Sequence, residues 1–204
     1  MRGWWDNYRP YINGNFTDYL WLEENARTLN VFSLTVMPGL LQTLEHTTAL
    51  IEHGPEAQDK LKRDRMIEAR QMRHRVLDES RGKQFRFLVH EPVLYQKVGG
   101  SKTVIGQYEH LLEVIDRPHV ELRLLPQECW RHIAAGVNTE NTHFKLPERL
   151  PDALVFETAA GEKFLEAPDL NSYVATYDVL WSEEALDEAA TARRIKTLMK
   201  DVKQ

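Results

Sequence analysis

The stretch FRFLVHEPVLYQKVGGSKTVIGQYEHLLEVIDRPHVELRLL, residues 85–125, decides the fold. It opens with alternating side chains, the period-2 pattern of a strand, and Pro92 ends that pattern because it has no N–H to give to a sheet. Beyond the Gly99-Gly100 turn, an apolar stripe at helical spacing predicts a helix over 102–116. The stretch VELRLL, residues 120–125, is typical of a second strand. This order indicates a βαβ crossover, which joins parallel or near-neighbour strands.

The same stretch contains a first candidate functional residue. Phe85, Phe87 and Val89 give the first strand one strongly apolar face. Glu91 follows where that strand ends and the chain turns, at the kind of sheet edge where α/β proteins place chemistry. In the helix, Gln107 lies outside the apolar stripe, and we expect it to face away from the core with its charged neighbours.

The rest of the chain supplies further predicted elements around this unit. The other strands are predicted at 143–146, 153–157 and 163–166, and the other helices at 17–29, 39–53, 56–81, 169–181 and 183–202. Asn30 to Val36 fits either a short strand or an extended link. We therefore expect an α+β fold, a small mixed β-sheet with a central βαβ-like unit and about six helices around it. We expect a single domain over residues 1–204, with an aromatic arm at 1–15 and a C-terminal helix in 183–204.

Composition narrows the functional classes. The net charge is −5, which gives no electrostatic case for direct nucleic-acid binding by this chain. Cys129 is the single cysteine, so the chain has no internal disulfide framework and fits a reducing compartment. No apolar run approaches the length of a bilayer span, and the N-terminus lacks the apolar core of a signal peptide. We expect a soluble cytoplasmic protein that makes no membrane contact.

Two segments allow more than one interpretation. The aromatic arm, with Trp4 and Trp5, fits either an arm packed over the core or a wall of a ligand pocket. The charged helix at 56–81 interleaves acidic with basic residues, which favours a solvated helix over a nucleic-acid surface. An arginine on its inward edge, Arg70 or Arg73, can reach a buried carboxylate, because a buried charge needs a partner.

Several kinds of chemistry find no support in the sequence. The histidines lack ligand-like spacing with cysteine or carboxylate partners, so we expect no metal site. Cys129 precedes His132 closely, but sequence neighbours rarely form a Cys–His pair, and an inert cysteine is favoured. No phosphate-binding glycine loop occurs, and we expect no cofactor.

The remaining charged and aromatic residues point to one pocket. Glu91 ends a core strand, Glu23 lies near an apolar helical face, and Arg70 and Arg73 lie on the helix leading into that strand. Such a pocket suits a small polar or zwitterionic ligand. The predicted ligand-binding residues are Trp4, Trp5, Glu23, Arg70, Arg73, Glu91 and Trp130. The alternative is a buried Glu–Arg network that only fixes the arm against the core.

A series of short motifs resembles a known family. In order they are Trp4-Trp5 with Tyr8, Leu22-Glu23 with Ala26, the run PGLLQT at 38–43, Arg70-Gln71 with Arg73, Glu91 with Leu94 and Gly99-Gly100, Gln107 with Leu111-Leu112, and Leu125-Pro126. Together they look like the DUF5753 domain, which in actinobacteria usually follows a Cro/C1-type helix-turn-helix in WhiJ-like regulators. No helix-turn-helix precedes Trp4 here. We therefore expect either a fragment of such a regulator or a stand-alone member with another role.

The resemblance implies two functional hypotheses. The first is an effector- or partner-binding domain of a WhiJ-like transcriptional regulator, which takes a small polar ligand or a small DUF397-type protein. The alternative is a stand-alone biosynthetic enzyme that uses the same pocket, with Glu91 as general base and Arg70 or Arg73 as substrate clamp. Whether the chain is an enzyme stays open at this point, as does a homodimer.

Overall fold

The structure is a computed structural model that describes residues 2–12, 14–55, 57–78, 81–158 and 161–203. Its strands are β1 (Thr28–Ser33), β2 (Gln84–His90), β3 (Val120–Leu125), β4 (Asn141–Lys145), β5 (Ala153–Thr158) and β6 (Gly161–Leu165). Within the described residues they form a six-stranded sheet in the order β3-β2-β1-β4-β5-β6. The pairs β1–β2 and β2–β3 are parallel, while β1–β4, β4–β5 and β5–β6 are antiparallel. The predicted α+β fold with a mixed sheet is confirmed.

Helices pack on both faces of this sheet. They are α1 (Gly14–Asn25), α2 (Leu44–Glu52), α3 (Lys60–Arg73), α4 (Ser101–Ile115), α5 (Arg131–Ala134), α6 (Asn171–Val179) and α7 (Glu188–Lys203). Short 3-10 turns cover Trp4–Asn7, Gly39–Leu41, His74–Leu77 and Glu91–Tyr95, and a π-helical turn, Leu180–Glu184, continues α6. Among the described helices, none is both long and apolar enough to cross a membrane.

The predicted βαβ unit is present. Strand β2, helix α4 and strand β3 follow one another, and the two strands pair in parallel from Phe85–Val120 to His90–Leu125. The prediction of a single apolar face was too narrow. Phe87 and Leu88 point to opposite faces and both are fully buried, because helices cover the sheet on each side.

The central strand β1 overlaps the segment Asn30 to Val36, for which a short strand was one of two interpretations, but it begins earlier, at Thr28. The helix predicted over 17–29 ends at Asn25, whose side-chain amide donates to the Trp21 carbonyl. Leu29 therefore lies in β1 instead of on a helical face. This strand is buried along nearly its whole length, between β2 and β4, and its polar Asn30 and Ser33 are buried together with its apolar residues.

The helix predicted over 39–53 is two separate elements. After the 3-10 turn at Gly39–Leu41, the Thr43 hydroxyl accepts the His46 N–H and caps α2. The Gln107 side chain fixes the junction between these two elements. Its Oε1 atom accepts the Thr43 N–H at 2.9 Å, and its Nε2 atom donates to the Leu41 carbonyl at 2.6 Å. Gln107 is thus buried, and the prediction that it faces away was wrong.

Three other helix boundaries differ from the prediction. The helix expected over 56–81 is α3 with its following 3-10 turn, and the Asp59 carboxylate caps it by accepting the Lys62 N–H. Helix α6 begins at Asn171 rather than at 169. The C-terminal helix begins at Glu188 instead of 183, because the π-helical turn extends to Glu184 and residues 185–187 are not helical.

Candidate ligand-binding site

Arg70 and Arg73 lie in the last turn of α3, three residues apart. The Asp59 cap begins this helix, and the residues of the helix that are exposed are mostly charged. Ala69 and Arg73 are buried, and Arg70 is half-buried, so these residues form the inward edge of the helix. The prediction that an arginine here reaches a buried carboxylate is confirmed for Arg73.

Arg73 forms a buried ion pair with Glu23 of α1. Its Nη2 donates to the carboxylate at 2.8 Å and its Nε at 3.1 Å, and the Glu23 residue is 1% exposed. The guanidinium also lies 5.2 Å from the ring centres of Phe16 and Tyr19. Burial alone would lower the pKa of Arg73, but the Glu23 carboxylate outweighs it and the pKa is raised. A Cβ on Gly39 would meet this guanidinium at 2.9 Å, which explains the glycine of PGLLQT.

Arg70 has a different environment, although it is one turn away. Among the described residues its one hydrogen bond runs from Nη1 to the Gln42 side-chain oxygen at 3.3 Å. Gln42 is itself fixed, since it donates to the Met37 carbonyl and accepts from the Thr47 hydroxyl. Burial and the neighbouring Arg73 lower the pKa of Arg70 to about 10. The guanidinium is therefore partly dehydrated and bound only to a neutral group.

A cavity of about 440 Å³ lies beside Arg70, between the N-terminal arm, α3 and the β5–β6 hairpin. Its apolar lining includes Ile12, Phe16, Ile51, Met66 and Ala69, and its charged lining includes Lys62, Arg70, Glu157 and Glu162. A recess of about 90 Å³ also has Arg70 and Glu157 in its wall, together with Gln42 and Arg73. A volume of this order and a mixed lining are typical of small-molecule sites.

Glu157 and Glu162 bring negative charge to this cavity. They are register partners on β5 and β6, so their side chains share one face of the hairpin. Glu157 is exposed to solvent on the cavity side, but many protein atoms surround it. Burial by these atoms raises the pKa of its carboxyl, and the nearby Arg73 and Arg70 act in the opposite direction. The Glu162 Oε2 atom is out of contact with solvent and has no hydrogen-bond partner among the described residues.

The N-terminal arm combines both predicted roles. Trp5 is buried, and Trp4 packs edge-on against Trp5 and Tyr8 with the Arg75 guanidinium 5.3 Å from its ring. Neither tryptophan lines the cavity, so both anchor the arm to the core. Residues 10–12, further along, do line the cavity. The arm is therefore packed on the core and also forms a wall, but the wall is not made by the predicted tryptophans.

Comparison with known families agrees with this architecture. The sequence profile of a family described as a domain of unknown function, DUF5753, matches residues 16–197. The chain belongs to the DUF5753 family. The DUF5753 match spans helix α1 to most of α7, and includes Glu23, Arg70, Arg73, Glu157 and Glu162, whereas the arm precedes it. No curated protein matches the sequence.

Glu91 of this DUF5753 chain lies in a different environment from the one predicted. It opens the 3-10 turn after β2, as expected, but its carboxylate accepts the Arg194 Nε at 2.5 Å and the Tyr95 hydroxyl at 2.6 Å. Neither Arg70 nor Arg73 pairs with it. Burial would raise the pKa of Glu91, but the hydrogen bonds from Tyr95 and Arg194 outweigh it and lower the pKa. This carboxylate joins the sheet edge to α7.

Trp130 also lies apart from the cavity. It is 70% exposed, and it lines a shallow recess with Cys129, Arg131 and Glu184. Among the residues that the structure describes, no group of three or more histidine, cysteine or carboxylate side chains could hold a metal ion. Of the seven predicted residues, the structure brings together Glu23, Arg70 and Arg73, and it places Trp4, Trp5, Glu91 and Trp130 elsewhere.

Glu157, Glu162 and the Gln42 contact were not predicted from the sequence. Strands β5 and β6 pair Thr158 with Gly161 and Glu157 with Glu162, so the two glutamates become partners only in this register. Residues 159 and 160 lie outside the described residues. Like charges in facing positions destabilise a strand pair, so the sequence alone does not favour this register.

Proposed function

We propose that this chain is an effector-binding domain that takes a small polar molecule in the cavity beside Arg70. The observation that carries the proposal is the state of the Arg70 guanidinium. It is dehydrated enough to lower its pKa to about 10, yet it has only a neutral amide as hydrogen-bond partner within the described residues. Keeping a charge in this state costs free energy that folding alone does not require.

A purely structural role is already filled by the neighbouring pair. Arg73 and Glu23 satisfy one another inside the core, and together they fix α3 to α1. Arg70 forms no ion pair with the residues that the structure describes. Its fork of N–H donors suits a carboxylate or phosphate oxygen of a ligand, because guanidinium binds such groups through paired hydrogen bonds.

The wider biological role follows the resemblance to WhiJ-like regulators. In that setting, ligand occupancy would be reported to a helix-turn-helix domain or to a small DUF397-type protein. This part of the proposal rests on the family resemblance, while the cavity and its charged lining support only the binding of a small molecule.

Native mass spectrometry of the chain, purified from the cells that encode it, tests the proposal. We expect a small-molecule adduct that survives purification. Arg70→Met should reduce its occupancy at least about tenfold, equivalent to about 1.4 kcal/mol. Lys60→Met removes the same charge from the exposed start of α3 and should leave the adduct unchanged. An adduct that persists in Arg70→Met, or a chain that carries none, would contradict a ligand site at Arg70.

A further inference from the structure

The guanidinium of Arg70 has hydrogen-bond donors that face the cavity. Its Nη1 donates to the Gln42 side chain, whereas Nε and Nη2 have no partner among the described residues. These two nitrogens remain in contact with solvent, in contrast to the Nε of Arg123, which is buried without a partner. Arg70 lines both the cavity and the small recess, so solvent reaches its donors from inside the site. A ligand in the cavity can therefore accept their hydrogen bonds without breaking a bond of the protein.

The charged part of the lining limits the charge of such a ligand. Glu157 and Glu162 line the same cavity as Arg70 and Lys62, so acidic and basic side chains are equal in number there. Glu157 attracts Arg70 from a distance, but the two form no ion pair in the part of the chain that is described. A phosphate monoester brings about 1.5 to 2 negative charges at neutral pH. The two glutamates repel it more strongly than they repel a carboxylate, which brings one charge.

The apolar part of the lining indicates what the carboxylate is attached to. Phe16, Ile51 and Met66 contribute apolar surface to the cavity. The Phe16 ring is fixed, because it stacks on Tyr19 with ring centres 5.4 Å apart and the Arg73 guanidinium lies 5.2 Å from its centre. Such a surface favours a ligand with an apolar body, since burial of that body is favourable. The hydroxyl groups of a sugar would lose hydrogen bonds to water against the same surface.

We propose that the cavity binds a small monocarboxylate with an apolar body, whose carboxylate accepts from Arg70 and whose body packs on Phe16, Ile51 and Met66. This inference rests on the proposed function, because it takes the cavity beside Arg70 as the ligand site, and it specifies the chemical class of the ligand. The Nε and Nη2 atoms form one edge of the planar guanidinium. This edge matches the two oxygens of a carboxylate, so Arg70 selects the head group by geometry as well as by charge.

Isothermal titration calorimetry of the full chain with three probes that share one apolar body tests the ligand class. 3-Phenylpropionate carries the carboxylate, 3-phenylpropionamide is its neutral isostere, and 2-phenylethyl phosphate carries a phosphate monoester. We expect 3-phenylpropionate to bind at least about tenfold more tightly than either of the others, a difference of about 1.4 kcal/mol. Octanoate and octanamide repeat the comparison with a flexible body. The proposal is wrong if the amide or the phosphate binds as tightly as the carboxylate, or if neither carboxylate binds at millimolar concentration.

The methyl group of Met66 reports where the carboxylate binds. With isotope-labelled methionine methyl groups, the NMR signal of Met66 should shift when 3-phenylpropionate is added. The signal of Met199, in α7 and outside the cavity lining, should stay in place. Binding that leaves the Met66 signal unchanged would locate the probe at another site and overturn the proposal.

Variants of α3 separate charge, geometry and apolar contact. Arg70→Met should weaken 3-phenylpropionate binding at least about tenfold, and Arg70→Lys should recover only part of this loss, because an ammonium group lacks the planar edge. Met66→Gln makes the wall polar and should weaken binding about fivefold. Leu61→Gln is the matched control and should bind normally, since Leu61 is 59% exposed on the same helix and does not line the cavity. Circular dichroism confirms that each variant is folded, and full binding by folded Arg70→Met would contradict the proposal.

The ligand class and the proposed function have separate outcomes. If the cellular adduct depends on Arg70 while 3-phenylpropionate and octanoate do not bind, the monocarboxylate class is wrong and the ligand site at Arg70 stands. An Arg70-dependent adduct whose fragment masses show no carboxyl group has the same meaning. If no adduct depends on Arg70, the proposed function is wrong, and this inference is wrong with it.

Discussion

Arg70 and Arg73 lie on one helix, three residues apart, and end in opposite electrostatic situations. Arg73 has a carboxylate partner and two aromatic rings, and its pKa is raised. Arg70 has one neutral hydrogen-bond partner in the described residues, and its pKa is lowered to about 10. The charge of Arg73 is used in an ion pair inside the protein, whereas the charge of Arg70 stays available for another partner. Partner chemistry, more than burial, decides which of the two a buried arginine is.

Breaking the Arg73 pair should have the largest effect. Glu23→Gln leaves the Arg73 guanidinium buried without a counter-charge, and we expect a loss of about 3–5 kcal/mol in the free energy of unfolding. Urea denaturation followed by circular dichroism measures this loss. If the variant keeps its stability within about 1 kcal/mol, the pair is not the structural element that its geometry indicates.

The pair of Glu91 with Arg194 tests the same principle nearer the surface. Arg194 is 40% exposed, so solvent screens the interaction, and Glu91→Gln should cost only about 0.5–1 kcal/mol. Because the folded-state pKa of Glu91 is lowered, its contribution is present above the unfolded-state value of 4.5 and is lost as the pH falls through the folded value. The stability difference between wild type and variant should therefore shrink below pH 4.5. A difference that stays constant in acid would contradict the pairing.

Arg70→Met should change stability little, within about 1 kcal/mol, because it removes a dehydrated charge and only one neutral hydrogen bond. Its sharper effect is on His46. Burial first and Arg70 second lower the pKa of this histidine to about 4. We expect the variant to raise that pKa while burial still holds it below 6.5, and an NMR titration of the imidazole signals measures it. An unchanged His46 pKa would mean that Arg70 points elsewhere.

The smallest expected effect is a gain in stability. Glu157→Gln removes one of two facing carboxylates and should stabilise the free chain by about 0.2–1 kcal/mol. The folded-state pKa of Glu157 is raised, so its ionisation costs stability as the pH rises from 4.5 through the folded value. The advantage of the variant should accordingly appear only above pH 4.5 in thermal unfolding scans. A destabilised variant at neutral pH would show that Glu157 has a partner that the fold needs.

The sequence predicted the fold correctly where the local residue pattern matched the way in which the element is buried. The βαβ unit, with its alternating β2, its helical stripe and its Pro and Gly boundaries, was predicted in order and in parallel pairing. For β1 the sequence was only partly sufficient: the strand was one of two interpretations of Asn30 to Val36, and its first residues, Thr28 and Leu29, were assigned to the preceding helix. The prediction for Gln107 also failed. A polar residue in a helix is expected to face solvent unless buried backbone groups can form hydrogen bonds with it. Here the turn at Gly39–Leu41 and the residues after it provide those backbone groups.

Part of the candidate site could be predicted from the sequence, and part could not. That a carboxylate must meet Arg73 follows from the cost of burying a charge, and Glu23 lay near an apolar face, so the pair was within reach of sequence reasoning. Which arginine meets which carboxylate depends on helix placement across the sheet. Glu91 consequently pairs with Arg194, more than a hundred residues later, rather than with Arg70. The pairing of Glu157 with Glu162 depends in the same way on the register of β5 and β6, which the sequence did not settle.

The wall that residues 10–12 give to the cavity has a kinetic consequence. The chain is anchored ahead of this wall by the buried Trp5, and the Tyr8 carbonyl accepts the N–H groups of Tyr11 and Ile12. Helix α1 begins directly behind it, at Gly14. The wall is thus a short span held at both ends, and it cannot peel away like a free chain end. If the proposed ligand binds there, it would leave through the open mouth of the cavity, and its residence time would be set by its contacts inside.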